Sequence, residues 1–222
     1  MASPRFITIE GGEGAGKSTQ LKWLAQSMAD AGIGVRTTRE PGGSPGGEAI
    51  RGLVVSGAVD AWDATTEALL FMTARYDHVQ THIKPALAAG SWVLCDRFYD
   101  STYVYQGVVK GVGTAWLDQL YAQLFGNFAP DCTLLLDLPA ETGLARATAR
   151  GNEAESRFER MGVAFHTRLR EAFLARAAAH PQRFLTVDAS TTPEAVHASI
   201  IAVLNRRFGL ALQPVTSSPE SR

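Results

Sequence analysis

Residues Gly11–Gln20 read GGEGAGKSTQ, and no other stretch constrains the fold as tightly. Gly11 and Gly16-Lys17-Ser18 fit the pattern G-x4-G-K-[ST]. A β-branched and aromatic run, RFITIE (Arg5–Glu10), comes before it. Behind it, Leu21, Leu24, Ala25 and Met28 recur at helical spacing until Gly32. A strand that turns through glycines straight into a helix points successive backbone N–H groups at one spot, and the helix adds its positive end. The loop Gly11, Gly12, Glu13, Gly14, Ala15, Gly16, Lys17, Ser18 and Thr19 is therefore read as a phosphate cradle. Lys17 is placed to reach the β and γ phosphates of a nucleotide, and the Ser18 hydroxyl to ligate Mg²⁺.

The rest of the chain repeats the strand-then-helix pattern. Val35–Thr38, Trp92–Cys95, Cys132–Leu138 and Phe184–Val187 are short apolar or β-branched runs. Helical signals fall at Glu48–Val55, Thr66–Ala89, Trp116–Phe125, Glu141–Arg150, Phe158–Ala179 and Pro193–Arg206, with Pro85 set to shorten or kink the longest. Arg39–Gly47 (REPGGSPGG) reads as a loop and Gly151–Ser156 as a polar break. Continuous apolar strands alternating with helices argue for one α/β domain with a parallel sheet covered on both faces.

A net charge of −1 with no basic stripe gives no reason to expect a nucleic-acid partner. Cys95 and Cys132 both lie in apolar runs and read as buried thiols, which fits a cytoplasmic protein. No run approaches the roughly 20 apolar residues of a membrane span, so neither secretion nor membrane insertion is expected. The five histidines form no compact metal motif; His78 and His82 read as helix surface or pocket rim.

A phosphate loop says nucleotide but not reaction. No N-K-x-D guanine motif is present. Leu94-Cys95-Asp96-Arg97 ends an apolar strand, where ligands of such sheets bind. Asp96 suits a Mg²⁺ shell, and Arg97 suits a bidentate grip on phosphate. Arg39, Arg51 and Arg75 add cations near the same edge and suggest a second phosphate pocket.

The combination EGGEGAGKST, TREPGG (Thr38–Gly43), LLFMTARYDH (Leu69–His78), CDRFYDSTYVYQG (Cys95–Gly107) and SRFE (Ser156–Glu159) resembles thymidylate kinase of the bacterial type over roughly residues 5–206. That resemblance implies a single-domain P-loop NTPase fold with a five-stranded parallel sheet, helices on both faces and a small lid. The kinase domain would span residues 1–212, its lid about 146–160, followed by a polar tail, Gln213–Arg222. It implies transfer of the γ-phosphoryl of ATP to dTMP with Mg²⁺, held by Ser18 and Asp96, in a cytoplasmic homodimer.

Site roles follow from the same resemblance. Phe71 stacks on the pyrimidine. Arg75, one turn further along the same helix face, donates to the O4 acceptor of thymine but meets only a donor on cytosine. Thr102 and Gln106 contact the base around N3, and Tyr105 crowds the sugar C2′. Arg97 and Arg51 hold the acceptor phosphate with Arg39 nearby. Glu40 orients these arginines or approaches the metal. Glu13 faces the acceptor, meeting its 3′-hydroxyl region or an acceptor-binding arginine, since a carboxylate laid on the ATP phosphates would repel them. Arg146, Arg150 and Arg157 flank the polar break. Arg150 and Arg157 are candidates to meet the transferring phosphoryl, and Arg146 or Arg150 to stack on adenine. The family pattern D-R-x-E is here Ser156-Arg157-Phe158-Glu159, with Glu155 beside the missing aspartate, and Phe98 replaces a more common Tyr or His. Rival readings are a kinase for another nucleoside monophosphate, a deoxynucleoside kinase and a non-catalytic ATP switch. TREPGG with the Phe71/Arg75 pair opposes the first, Arg51 with Arg97 the second, and intact Lys17, Ser18 and Asp96 with the lid arginines the third.

Overall fold

The computed structural model describes residues 3–56, 58, 60–149, 158 and 160–215. Five strands form one sheet: β1 (Phe6–Gly11), β2 (Val35–Arg39), β3 (Trp92–Asp96), β4 (Cys132–Asp137) and β5 (Phe184–Asp188). Their order is β2-β3-β1-β4-β5, all parallel, so β1 is central and every residue of it is buried.

Successive side chains of a strand point to opposite faces, and each face has its own apolar layer. Ile7, Ile9, Leu94, Leu134 and Leu136 point to one side. There they meet Leu21, Leu24 and Met28 of α1 (Lys17–Asp30) and Val196, Ile200 and Leu204 of α9 (Pro193–Phe208). Phe6, Val93, Cys95 and Leu135 point to the other. That side is covered by α3 (Ala64–His78), α6 (Thr114–Phe125) and α8 (Val163–Ala179). Both cysteines are free and buried, as their apolar runs indicated. No described helix is long and apolar enough to cross a membrane.

Three helical expectations are corrected. The run expected as one helix over Thr66–Ala89 is α3, a π-helical turn at Val79–Ile83 and then α4 (Lys84–Ala88). Pro85 lacks an N–H, and its ring would strike the carbonyl of a preceding regular turn; the widened turn ahead of it removes the clash. The helix expected from Phe158 begins instead at Val163. The one expected from Glu48, α2, begins earlier and spans Pro45–Val55, because Ser44 caps it by accepting from Gly47 N and Pro45 suits its first position.

A further helix was not legible. Tyr99–Thr102 (α5) continues as a π-helical segment, Tyr103–Val109. Its aromatic and β-branched residues are poor helix formers. Tertiary burial overrides that preference: Val104 and Tyr105 pack with Leu169 and Phe173 of α8. Asp100, almost fully buried, anchors the segment. Burial alone would raise its carboxyl, but Arg183 and Arg176 donate to it at 2.8 and 3.1 Å and hold it below its ordinary value. At the other end of the chain, Leu212 is fixed by exchanging two hydrogen bonds of 2.9 Å with the Asn205 side chain.

Candidate functional site

A cleft of about 270 Å³ opens at the carboxyl ends of β1, β2 and β3. Its walls include Lys17 and Ser18 at one end and Phe71, Arg75 and Gln106 at the other.

The phosphate loop leaves β1 at Gly11 and enters α1 at Gly16, whose φ of 86° suits glycine. The Lys17 ammonium donates to Gly11 O at 3.2 Å and Gly12 O at 2.7 Å. Burial, then the neighbouring Arg97 cation, pulls its pKa below the ordinary value. The loop is seated on α7 (Ala140–Ala149) through two glycines. A Cβ on Gly143 would lie 2.3 Å from Glu13 O, and one on Gly14 would lie 2.0 Å from Gly143 O. Gly143 carries no signal in the sequence motif, because the contact spans over a hundred residues.

Ser18 Oγ donates to Asp96 Oδ2 at 2.8 Å, bringing the two expected metal ligands together. One hydroxyl and one carboxylate fit Mg²⁺, which commonly takes one or two protein oxygens and fills its shell with phosphates and water.

Arg97 follows β3 in left-handed conformation, φ 67°, which costs a non-glycine residue about 1–2 kcal/mol. Several contacts hold it there. Its Nη2 donates to Glu13 Oε1 at 2.7 Å and its Nη1 to Ser101 Oγ at 3.1 Å. Its guanidinium lies 5.4 Å from the Tyr105 ring centre. Tyr105 OH donates to the same Glu13 oxygen at 3.4 Å. Burial alone would raise the Glu13 carboxyl; Arg97 and then Lys17 outweigh it and hold the pKa at about 2. Glu13 is thus paired with Arg97, the arginine expected to bind the acceptor phosphate.

Behind Arg97 stands Glu10, unnoticed in the sequence because it reads as part of a buried strand. It accepts from Phe98 N at 2.7 Å and Ser101 Oγ at 2.6 Å, and so clamps the turn that carries Arg97. Burial, then nearby Asp100, pushes its carboxyl up to about 7.

At the far end, Arg75 is buried. Its Nε donates to Glu40 Oε2 at 2.7 Å and its Nη2 to Thr102 Oγ1 at 3.0 Å, while its plane lies over Phe98 and Tyr99. Glu40 therefore orients Arg75, not Arg39, Arg51 or Arg97. Its other oxygen meets His78 Nδ1 at 3.0 Å, and His78 Nε2 meets Thr38 Oγ1 at 2.7 Å. His78 is thus no surface or rim residue: it is fully buried, nearly one turn beyond Arg75 on the inner side of α3. His82 is exposed, as expected.

Arg51 Nη1 donates to Pro41 O at 2.9 Å, and Arg39 pairs with Glu48 at 3.1 Å on the exposed rim; both line the cleft. Phe71 lines it beside Phe158, their ring centres 6.5 Å apart. Gln106 is held by Glu67, and Glu67 by Lys110; neither of these partners was singled out in the sequence. The spacing held a signal all the same, since Glu67, Phe71 and Arg75 recur every four residues on α3 and share a face. Arg146 lies on α7 and donates to the carbonyls of Ala189 and Ser190 at 2.9 and 3.2 Å. Arg150 and Arg157, with Glu155 and Ser156, lie outside the described residues.

One cleft therefore holds the phosphate loop, an arginine paired with an acid of that loop, and beyond them a ring and a donor-only cation. The family model described as Thymidylate kinase matches residues 9–200. The chain belongs to the thymidylate kinase family. A thymidylate kinase of Caulobacter vibrioides is 51% identical over 205 residues, covering 92% of this chain and 98% of that protein. One of Nitrobacter winogradskyi is 52% identical, covering 91% and 89%. The crystal structure of the thymidylate kinase from Ehrlichia chaffeensis superposes with a TM-score of 0.74 at 30% identity, over 91% of this chain and 99% of that one. Membership agrees with the expected α/β phosphate-loop fold and its five-stranded parallel sheet.

Proposed function

We propose that this chain does what its family name states: it transfers the γ-phosphoryl of ATP to dTMP, yielding dTDP on the way to dTTP. The observation that carries the reading is one cleft bounded by Lys17 and Ser18 at one end and by Arg75, Phe71 and Gln106 at the other, with Arg97 between them.

The loop N–H groups and Lys17 hold the ATP phosphates. Ser18 and Asp96 would hold Mg²⁺, which would supply charge neutralisation to the phosphates. Arg97 and Arg51 grip the dTMP phosphate, with Arg39 at the rim. Glu13 aims Arg97 from the loop itself, so the acceptor grip and the donor cradle share one backbone segment. That coupling matters because phosphoryl transfer has a loose transition state and relies on positioning and charge more than on a base. Phe71 stacks on thymine, Arg75 donates to its O4, Thr102 and Gln106 serve its N3 edge, and Tyr105 packs against the sugar. Arg146, Arg150 and Arg157 complete the donor side, with a lid over about 146–160 excluding water from the transfer. A cytoplasmic homodimer with residues 1–212 as the catalytic domain belongs to the same reading; exposed Leu69 and Tyr76 on α3 offer it apolar surface.

The test is ADP release with Mg²⁺-ATP and one monophosphate at a time: dTMP, dUMP, dCMP, UMP, dGMP and AMP. Strong turnover with dTMP, weaker with dUMP and little with the others is expected. Preference for another acceptor would overturn the base pocket, and no acceptor-dependent turnover would overturn the activity.

A further inference from the structure

A glutamine amide has one face that accepts and one that donates, and they have nearly the same shape. Which face Gln106 presents to the cleft is decided by what lies behind it. Its nitrogen is 2.6 Å from Glu67 Oε1, and Glu67 is fully buried. The Lys110 ammonium donates to both oxygens of Glu67, at 2.8 and 3.0 Å. Paired in this way, the carboxylate offers only acceptors. Turning the amide over would press the Gln106 carbonyl oxygen against a carboxylate oxygen, a like-charged contact in a buried place. One N–H of the amide is therefore committed to Glu67, which turns the carbonyl away from that carboxylate and leaves it to accept from a ligand in the cleft that Gln106 lines.

We propose that Glu67, set in place by Lys110, is a specificity-determining positioning residue. It locks Gln106 as a hydrogen-bond acceptor and so selects a pyrimidine whose N3 carries a hydrogen. The inference rests on the reading of this cleft as the thymine pocket. Thymine presents O4 as an acceptor and N3–H as a donor. Arg75, which only donates, and the Gln106 carbonyl, which accepts, complement that pair. Cytosine presents an amino donor and a bare N3 acceptor, so both contacts reverse sign. Arg75 by itself reads one atom; the Glu67 lock adds a second, independent reading of the same base edge. The arrangement is built on one helix face, since Glu67, Phe71 and Arg75 recur at four-residue intervals on α3.

The experiment measures kcat/KM for dTMP and for dCMP in the wild type, Glu67→Gln, Gln106→Leu and the double variant. The amide introduced by Glu67→Gln can donate or accept, so it frees the Gln106 amide to turn while keeping the volume. In Glu67→Gln the dTMP-over-dCMP ratio is expected to fall about tenfold to a hundredfold, through a raised KM for dTMP with KM for ATP unchanged. In the Gln106→Leu background the same substitution is expected to change the ratio by less than about twofold, because Glu67 acts through Gln106. A purely structural role would lower turnover of both substrates and leave the ratio alone. If Gln106→Leu lowers the ratio and Glu67→Gln does not, the lock is refuted and the pocket stands. If Gln106→Leu leaves the ratio unchanged, the pocket reading itself falls. Should Glu67→Gln fail to fold by circular dichroism, Lys110→Met takes its place in the same four-way comparison. Lys110→Met removes the ammonium that donates to both oxygens of Glu67 and so loosens the carboxylate that holds the Gln106 amide. A ratio unchanged in Lys110→Met would then refute the proposal.

Discussion

Replacing Gly143 by alanine sets two effects of opposite sign against each other. In the interior of α7, alanine should stabilise by about 1 kcal/mol, because glycine loses more backbone freedom on forming a helix. Packing opposes this. The new Cβ would lie 2.3 Å from Glu13 O, inside any normal contact, and both partners are backbone held in place, a helix and the phosphate loop. Relief requires one of them to move by about 1 Å, an overpacking that costs about 1–3 kcal/mol. The net expectation is a loss of about 1 kcal/mol, a fall in Tm of about 2–4 °C for a chain of this size. The functional cost should be larger, since a 1 Å displacement of the loop that carries both Lys17 and Glu13 costs on the order of a hundredfold in kcat/KM. Gly52→Ala is the control: it is also helical, and nothing lies within 4 Å of its Cβ, so only the propensity gain should appear. The assays are thermal unfolding and coupled ADP release. If Gly143→Ala raised Tm as Gly52→Ala does and kept kcat/KM within about twofold, the claim that α7 seats the loop through this contact would be refuted.

Three further outcomes are expected. Glu13→Ala removes the 2.7 Å partner of Arg97 and should raise KM for dTMP about tenfold with KM for ATP unchanged; an unchanged dTMP KM would end its acceptor role. Arg75→Lys replaces a fork that reaches Glu40 and Thr102 with a single ammonium, and should weaken dTMP binding in calorimetry by about 2 kcal/mol. His197, buried against Trp23 and Ser27, has its imidazole pushed down by burial to about 4, below the unfolded value of 6.5, so the unfolded chain binds the extra proton between those values. Its contribution to stability is present above pH 6.5 and lost as pH falls towards 4. Urea titrations should show wild type losing about 2 kcal/mol more than His197→Phe between pH 7 and pH 5, and equal losses would contradict the assignment.

The sequence by itself determined whatever depends on near neighbours. A β-branched run, glycines at fixed offsets and an apolar period of about 3.6 are local, and they placed β1, the phosphate loop and α1. The continuous apolar strands announced a sheet covered on both faces. The Phe71/Arg75 spacing put both side chains on one face of α3, and both line the cleft. Tertiary structure decided what depends on residues distant in the chain. The 99–109 segment is helical against its own propensities because α8 buries it. His78 is buried because Glu40 and Thr38 meet it from another element. Gly143 matters only because the fold lays α7 on Glu13. Gln106 is the sharpest case: its type was readable as a base contact, but the direction of its hydrogen bond was not. An amide has no preferred face of its own, and a carboxylate 39 residues away supplies one.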